Sequence, residues 1–199
     1  AFIDRVLLES DPHAVLEGLA LCGYAIGARH GIVYVRSEYP RAAERVERAI
    51  AEARGAGLLG ASVAGSDFAF EVRVVLGEGS YVCGEETALI SALEGRRGEV
   101  RVRPPYPTVQ GLFGMPTVVN NVETLANVPW IVRHGPAAYR ELGTQASSGT
   151  KAICLNAGFA RPGIVEIEFG LPLRELIEQV AGGAGAGRRL AAVAVGGPM

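Results

Sequence analysis

Cysteine is scarce in this chain. Its 199 residues contain three, Cys22, Cys83 and Cys154, odd in number and far apart. They show neither zinc nor iron–sulfur spacing, and such sparse use fits a reducing, cytoplasmic setting. The three histidines, His13, His30 and His134, are scattered without triad or metal spacing, so each reads as structural. No charge sign dominates: the formal net charge of −2 argues against a large nucleic-acid surface. Apolar runs break at charges or glycines well short of a membrane span, so any membrane association would run through partners. No secretory signal is visible.

Two phosphate-binding motifs are nearly present, and each lacks a decisive part. After the β-rich run FEVRVVL comes Gly77-Glu78-Gly79. A dinucleotide fingerprint needs glycine three residues beyond Gly79, where Val82 stands. The P-loop spacing from Gly79 to Gly84 does fit, but Glu85-Glu86 replaces the required Lys-Ser/Thr. Two carboxylates would repel a triphosphate, which excludes an NTPase.

What is present is an ordinary globular composition, 49% hydrophobic and 20% charged, long enough for one or two domains with a real core. The chain opens at Ala1 directly on AFIDR and stops at GGPM after the apolar run LAAVAV, so it is expected to be a piece of a longer polypeptide.

Taken in order, residues 1–10 are mixed and predict irregular or strand-like structure. Asp11-Pro12 is a helix start, N-cap followed by proline at the first helical position. The segment to Ala28 is apolar on nearly every face, as in a buried helix. Ile32 to Val35 predict a buried strand. Pro40 opens a second helix with an apolar stripe of Ala43, Val46, Ala49, Ile50 and Ala53. A strand follows over 70–76. Two strands joined through a helix predict a βαβ unit and a parallel sheet, with ligands beyond the strands' C-terminal ends. The glycine turn at 77–79 lies at such an end. A helix over 85–94 follows it, with Glu85 and Glu86 in its first turn. Carboxylates there are also a common, dipole-favoured choice with no function attached.

The segment GRRGEVRVRPPYPTVQGLFGMP cannot form long regular structure. Arg96, Arg97, Arg101 and Arg103 place four cations within eight positions, either to bind ligand phosphate or as solvated charge. Tyr106 and Phe113 could stack on a flat ring or simply pack. Asn120-Asn121 follows a short β-branched run. Asparagine suits the edge of a polar heterocycle and is also a favoured N-cap, which accounts for one of the pair but not obviously both. A helix then runs through Trp130 toward Gly135. The polar stretch GTQASSGT, 143–150, marks a boundary. Beyond it strands are expected over 151–156 and 164–169 as a hairpin, a helix from Pro172 to about Val180, and a last strand over 190–195.

Together these residues resemble a known family. YVCGEETALISALEGRRGE, RVRPPYP and GLFGMPTVVNNVETLANVPWIV closely resemble the NADH-oxidising flavoprotein (51 kDa-type) subunit of respiratory complex I. They resemble equally its relatives in NAD-linked formate dehydrogenases and bidirectional or bifurcating hydrogenases. AFIDRVLLESDPH, the run from GYAIGARHGIVYVRSEYPRAAERVERAI to GLLG, and FARPGIVEIEFGLPLREL extend the likeness over essentially the whole chain.

The resemblance implies an NADH dehydrogenase-type enzyme in which NADH passes a hydride to FMN and electrons leave singly to iron–sulfur clusters. It implies that Tyr81, Gly84, Glu85 and Glu86 line the flavin and nicotinamide site, with Glu85 and Glu86 nearest the chemistry. Glu86 would accept from NADH hydroxyls, and Asn120 and Asn121 would hydrogen-bond FMN. Arg103, where the family usually has Lys, and Tyr106, where it has Phe, would hold the adenosine half of NADH. The family's glycine-rich FMN loop and a phenylalanine-rich NADH patch lie upstream of this sequence. The cysteines of its [4Fe–4S] cluster lie downstream, so none of the three here is a metal ligand and Cys83 packs. Implied partners are NADH, a thioredoxin-fold [2Fe–2S] protein and further subunits of a multi-subunit oxidoreductase.

The expected architecture is α/β: a Rossmann-like parallel-sheet flavin/NADH domain over 1–142, a linker over 143–150, and a partial small β-grasp (SLBB-like) α+β domain over 151–199. With half of the flavin site expected here, a non-catalytic folded module or docking domain is the alternative reading.

Overall fold

A computed structural model describes residues 2–185 and 187–196. They divide into two compact units between Pro129 and Trp130.

The first unit opens with α1 (Phe2–Ser10) and α2 (Pro12–Ile26). The helix α1 corrects the expectation of irregular or strand-like structure over 1–10. The mixed composition showed no clear period, but local pairing decides for a helix. Asp4 sits in the first turn, Arg5 and Glu9 pair at 2.9 Å across one turn, and Leu8 is buried. Asp11 caps α2 as expected, its carboxylate accepting from the Ala14 N–H at 3.1 Å, and Gly27 closes the helix in the left-handed conformation. Asp11→Ala is expected to cost about 1 kcal/mol in denaturant unfolding. A change below a few tenths would show that Pro12 alone sets the helix start.

Strand β1 (His30–Arg36), helix α3 (Pro40–Gly55) and strand β2 (Glu71–Gly77) follow. The strands pair in parallel, His30 opposite Glu71 through Arg36 opposite Gly77, as the βαβ pattern predicts. The predicted stripe of α3 is buried, and it forms a core with Val15, Leu16, Val33, Val35, Phe70 and Val72. Both strands end together, and the Ser37 N–H donates to the Gly77 carbonyl at 3.0 Å. The glycine turn therefore lies beyond the C-terminal edge of the sheet. It leads into α4 (Glu86–Leu93), and a long loop then reaches α5 (Val122–His134).

The second unit contains α6 (Pro136–Glu141) and the antiparallel hairpin of β3 (Thr150–Leu155) and β4 (Gly163–Glu168). A short α7 (Leu173–Glu175) continues as a π turn over Leu176–Val180. Leu155, Leu176 and Ala181 form its core, with Ile153, Phe159 and Val165 packed against them. The strand expected over 190–195 is absent. This stretch is largely exposed, and β3 and β4 pair only with each other among the described residues. An apolar run without a ladder partner does not become a strand. Among the described residues the architecture is thus mixed α/β, with one two-stranded parallel and one two-stranded antiparallel sheet.

Candidate functional site

The turn after β2 is built on Tyr34 of β1. A side-chain carbon on Gly77 would lie 2.3 Å from the Tyr34 hydroxyl, so only glycine lets the turn pass over that ring. Burial, then contact with the Cys83 thiol and the charge of Glu78, push the Tyr34 phenol up to about 12. Gly79 takes a positive φ of 77°, and residues Tyr81–Gly84 make one 3-10 turn. Cys83 is buried and packs, while Tyr81 is 89% exposed. A Cβ on Gly84 would meet nothing within 4 Å. No protein atom requires glycine there, and the open face leaves room for a ligand to approach the backbone.

Glu85 is the N-cap of α4. Its Oε2 accepts from the backbone N–H of Thr87 (2.9 Å) and Ala88 (3.0 Å) and from the Thr87 hydroxyl (2.5 Å). Its Oε1 is buried without a hydrogen-bond partner, 3.7 Å from the Arg103 guanidinium. Burial pushes the carboxyl pKa up, but those hydrogen bonds and the nearby arginine outweigh it, and the net shift is downward. Glu85 is thus an ionised cap with one unused acceptor, not a proton donor near neutral pH. Glu86 points to the same arginine: Arg103 Nη1 donates to its Oε1 at 2.6 Å. Glu85, Glu86 and Arg103 therefore meet at the mouth of α4.

The four loop arginines all face carboxylates. Arg96 and Arg101 converge on Glu94, Arg97 lies 3.8 Å from Glu99, and Arg103 binds the Glu85–Glu86 pair. This arrangement matches neither alternative outright: they are neither bare phosphate ligands nor isolated solvated charges. Arg101 is the most deeply tied. Its N–H donates to the Thr87 hydroxyl at 2.8 Å, its Nε to the Ser91 hydroxyl at 3.0 Å and its Nη2 to Glu94 at 2.6 Å. Thr87 and Ser91 are buried hydroxyls with full partner sets, as buried polar groups require.

The remaining expected site residues are held elsewhere. Asn121 accepts the Glu123 N–H at 2.8 Å and so caps α5. The Asn120 amide lies 3.5 Å from the Cys22 sulfur of α2. Tyr106 is exposed, its carbonyl accepting from the Val109 and Gln110 N–H groups. Among the described residues no group of three or more His, Cys, Asp or Glu is placed to hold a metal ion, and no helix is long and apolar enough to cross a membrane.

Sequence reasoning passed over Glu94. Its signal was its position: an acidic residue closing a helix stands against the dipole and needs a reason to be there.

Residues 1–130 match the family described as the Nuo51 FMN-binding domain. The chain belongs to that family. It is 50% identical over 196 residues to an NADH-quinone oxidoreductase subunit of Rhizobium meliloti, covering 98% of this chain and 47% of that protein. It is 47% identical to HndC, an NADP-reducing hydrogenase subunit of Solidesulfovibrio fructosivorans, covering 99% of this chain and 40% of that one. Among solved structures, an NAD+-reducing [NiFe]-hydrogenase in the H2-reduced state superposes with a TM-score of 0.83 at 43% identity, over 91% of this chain and 30% of that one. The chain thus spans less than half the length of these relatives, and the resemblance read from its motifs is borne out.

Proposed function

We propose that the chain forms one wall of an NADH–FMN site in an NADH-oxidising flavoprotein. The gathering of Glu85, Glu86 and Arg103 beside the open face of Gly84 carries this reading. FMN, when bound, supplies hydride acceptance and one-electron release to iron–sulfur clusters. The protein's part is to bind and orient. Gly84 admits the flavin edge, the free Oε1 of Glu85 accepts a ligand hydrogen bond, and exposed Tyr81 offers a face for contact. Asn120 and Asn121 hydrogen-bond the flavin. Glu86 accepts from ribose hydroxyls, while Arg103 and Tyr106 receive the adenosine half. Arg103 and Glu86 already bind each other, so NADH must replace that pair with its own contacts.

The finer architecture belongs to the same reading: a Rossmann-like first domain to residue 142, a linker over 143–150, and an SLBB-like β-grasp element after it. So do a cytoplasmic location, a thioredoxin-fold [2Fe–2S] partner protein and a [4Fe–4S] cluster held by cysteines outside this sequence.

The test uses the full-length protein, with flavin content and NADH–ferricyanide activity as readouts. Glu86→Ala should raise the KM for NADH tenfold or more with flavin retained, since a lost charged hydrogen bond is worth about 1.5–3 kcal/mol. Asn121→Ala should lower flavin content. Neither quantity changing in either variant would sink the proposal.

A further inference from the structure

The loop over 95–121 must present Arg103 and Tyr106 in fixed positions, yet it has almost no regular structure of its own: one 3-10 turn, Leu112–Gly114. It is not packed solidly either. A cavity of about 210 Å³ lies between it and α4, lined by Thr87, Ile90, Glu94, Arg101, Pro107 and Gly111 among others. Apolar burial therefore holds little of the loop: Pro107 and Gly111 are buried, but most of its residues are not. Its side chains face outward instead: Val102, Tyr106, Val109, Phe113 and Met115 are all exposed.

What spans the gap is Glu94. Its side chain is only 6% exposed at the C-terminal end of α4, a helix whose Thr87, Ala88, Ile90 and Ser91 are buried. It accepts from Arg96 and Arg101 on the near side of the loop. On the far side it accepts the backbone N–H of Phe113 at 2.8 Å. One carboxylate thus ties Arg96 and Arg101, before the proline-rich segment carrying Arg103 and Tyr106, to Phe113 after it. Phe113 itself has a φ of +50°, strained for an aromatic residue. The N–H of this same residue is the one that donates to Glu94.

We propose that Glu94 is a positioning residue for dinucleotide binding: it touches no substrate, but fixes the loop that offers Arg103 and Tyr106. This rests on the NADH reading above. Hydrogen bonds from Arg96 hold the carboxyl well down; although burial opposes this, the Phe113 N–H and Arg101 add to the effect and bring it to about 2. The sign follows: a depressed carboxyl pKa gives stability that is present above about 4.5 and lost as pH falls toward 2. The tether is therefore intact throughout the neutral range.

The experiment uses the full-length flavoprotein and steady-state NADH–ferricyanide kinetics, with flavin content measured in parallel. Glu94→Gln, which keeps an acceptor for Phe113 but loses the charge that pairs both arginines, should raise the KM for NADH about tenfold. Its kcat should stay within about twofold and its flavin content unchanged. Glu94→Asp should recover part of that loss. Arg101→Lys keeps a cation but cannot reach Ser91 and Glu94 together; it should raise KM in the same direction and decides the matter if Glu94→Gln fails to fold. An unchanged KM in the folded variants overturns the proposal. So does a loss of flavin and kcat in step with KM, which marks a general structural prop. A wild-type protein without NADH-dependent ferricyanide reduction instead overturns the reading on which the proposal rests.

Discussion

Phe70→Ala should remove about 3–5 kcal/mol of stability, the range for deleting a large, fully enclosed aromatic side chain. Phe70 is 1% exposed at the entry to β2. Its ring lies against two glycines: a Cβ would come within 2.5 Å of it at Gly23 and within 2.9 Å at Gly31. Those glycines are small because the ring fills their space, so nothing nearby can swell into the void left by alanine. Phe68 stacks on it at 5.6 Å and would lose that face as well. Urea unfolding should show a lower midpoint at unchanged slope. A loss under about 1 kcal/mol would mean that the helix–sheet interface collapses freely around the site, contrary to its tight packing.

Gly18→Ala should have the second-largest effect, about 2–3 kcal/mol or more, and should reach the candidate site. The added carbon would stand 2.0 Å from the Leu125 carbonyl oxygen. That oxygen is at the surface of α5 for a covalent reason: the N–H that would bond it within the helix belongs to position 129, which is proline. The added Cβ is fixed by the backbone and its partner is a backbone carbonyl, so no rotamer change relieves the contact and α2 must move off α5. Cys22, one turn further along α2, touches Asn120. The displacement therefore moves the asparagine pair. The full-length Gly18→Ala protein should unfold at lower temperature and retain less flavin. Full flavin retention despite lost stability would separate α2 from the asparagines.

The sequence made some of this plain and hid the rest for identifiable reasons. The sheet, α3 and the cap at Asp11 were legible because each is written in neighbouring residues: apolar runs, a 3.6-residue stripe, an Asp-Pro pair. Residues 1–10 misled because their mixed composition shows no clear period until Arg5 and Glu9 are counted as one helical turn. The apolar run over 190–195 misled because strand formation depends on a partner, and no local pattern encodes one. At the site, the glycine turn and the carboxylates were visible as a unit. The double role of Glu85, cap and spare acceptor, was not. Nor was the pairing of each loop arginine, because Glu94 and Arg101 meet across a fold in the chain that only the proline-rich loop creates. Asn121 proved to be a cap. Asn120, which the cap argument could not cover, is the one that reaches α2.

The pairing of Arg103 with Glu86 has a kinetic consequence. Every cation in the loop faces an anion, four arginines against Glu85, Glu86, Glu94 and Glu99, so the loop and α4 together project little net field into solvent. A doubly charged dinucleotide approaching this wall would not be drawn in from a distance. Its capture would depend little on ionic strength and would be set by how fast Arg103 changes partner on contact.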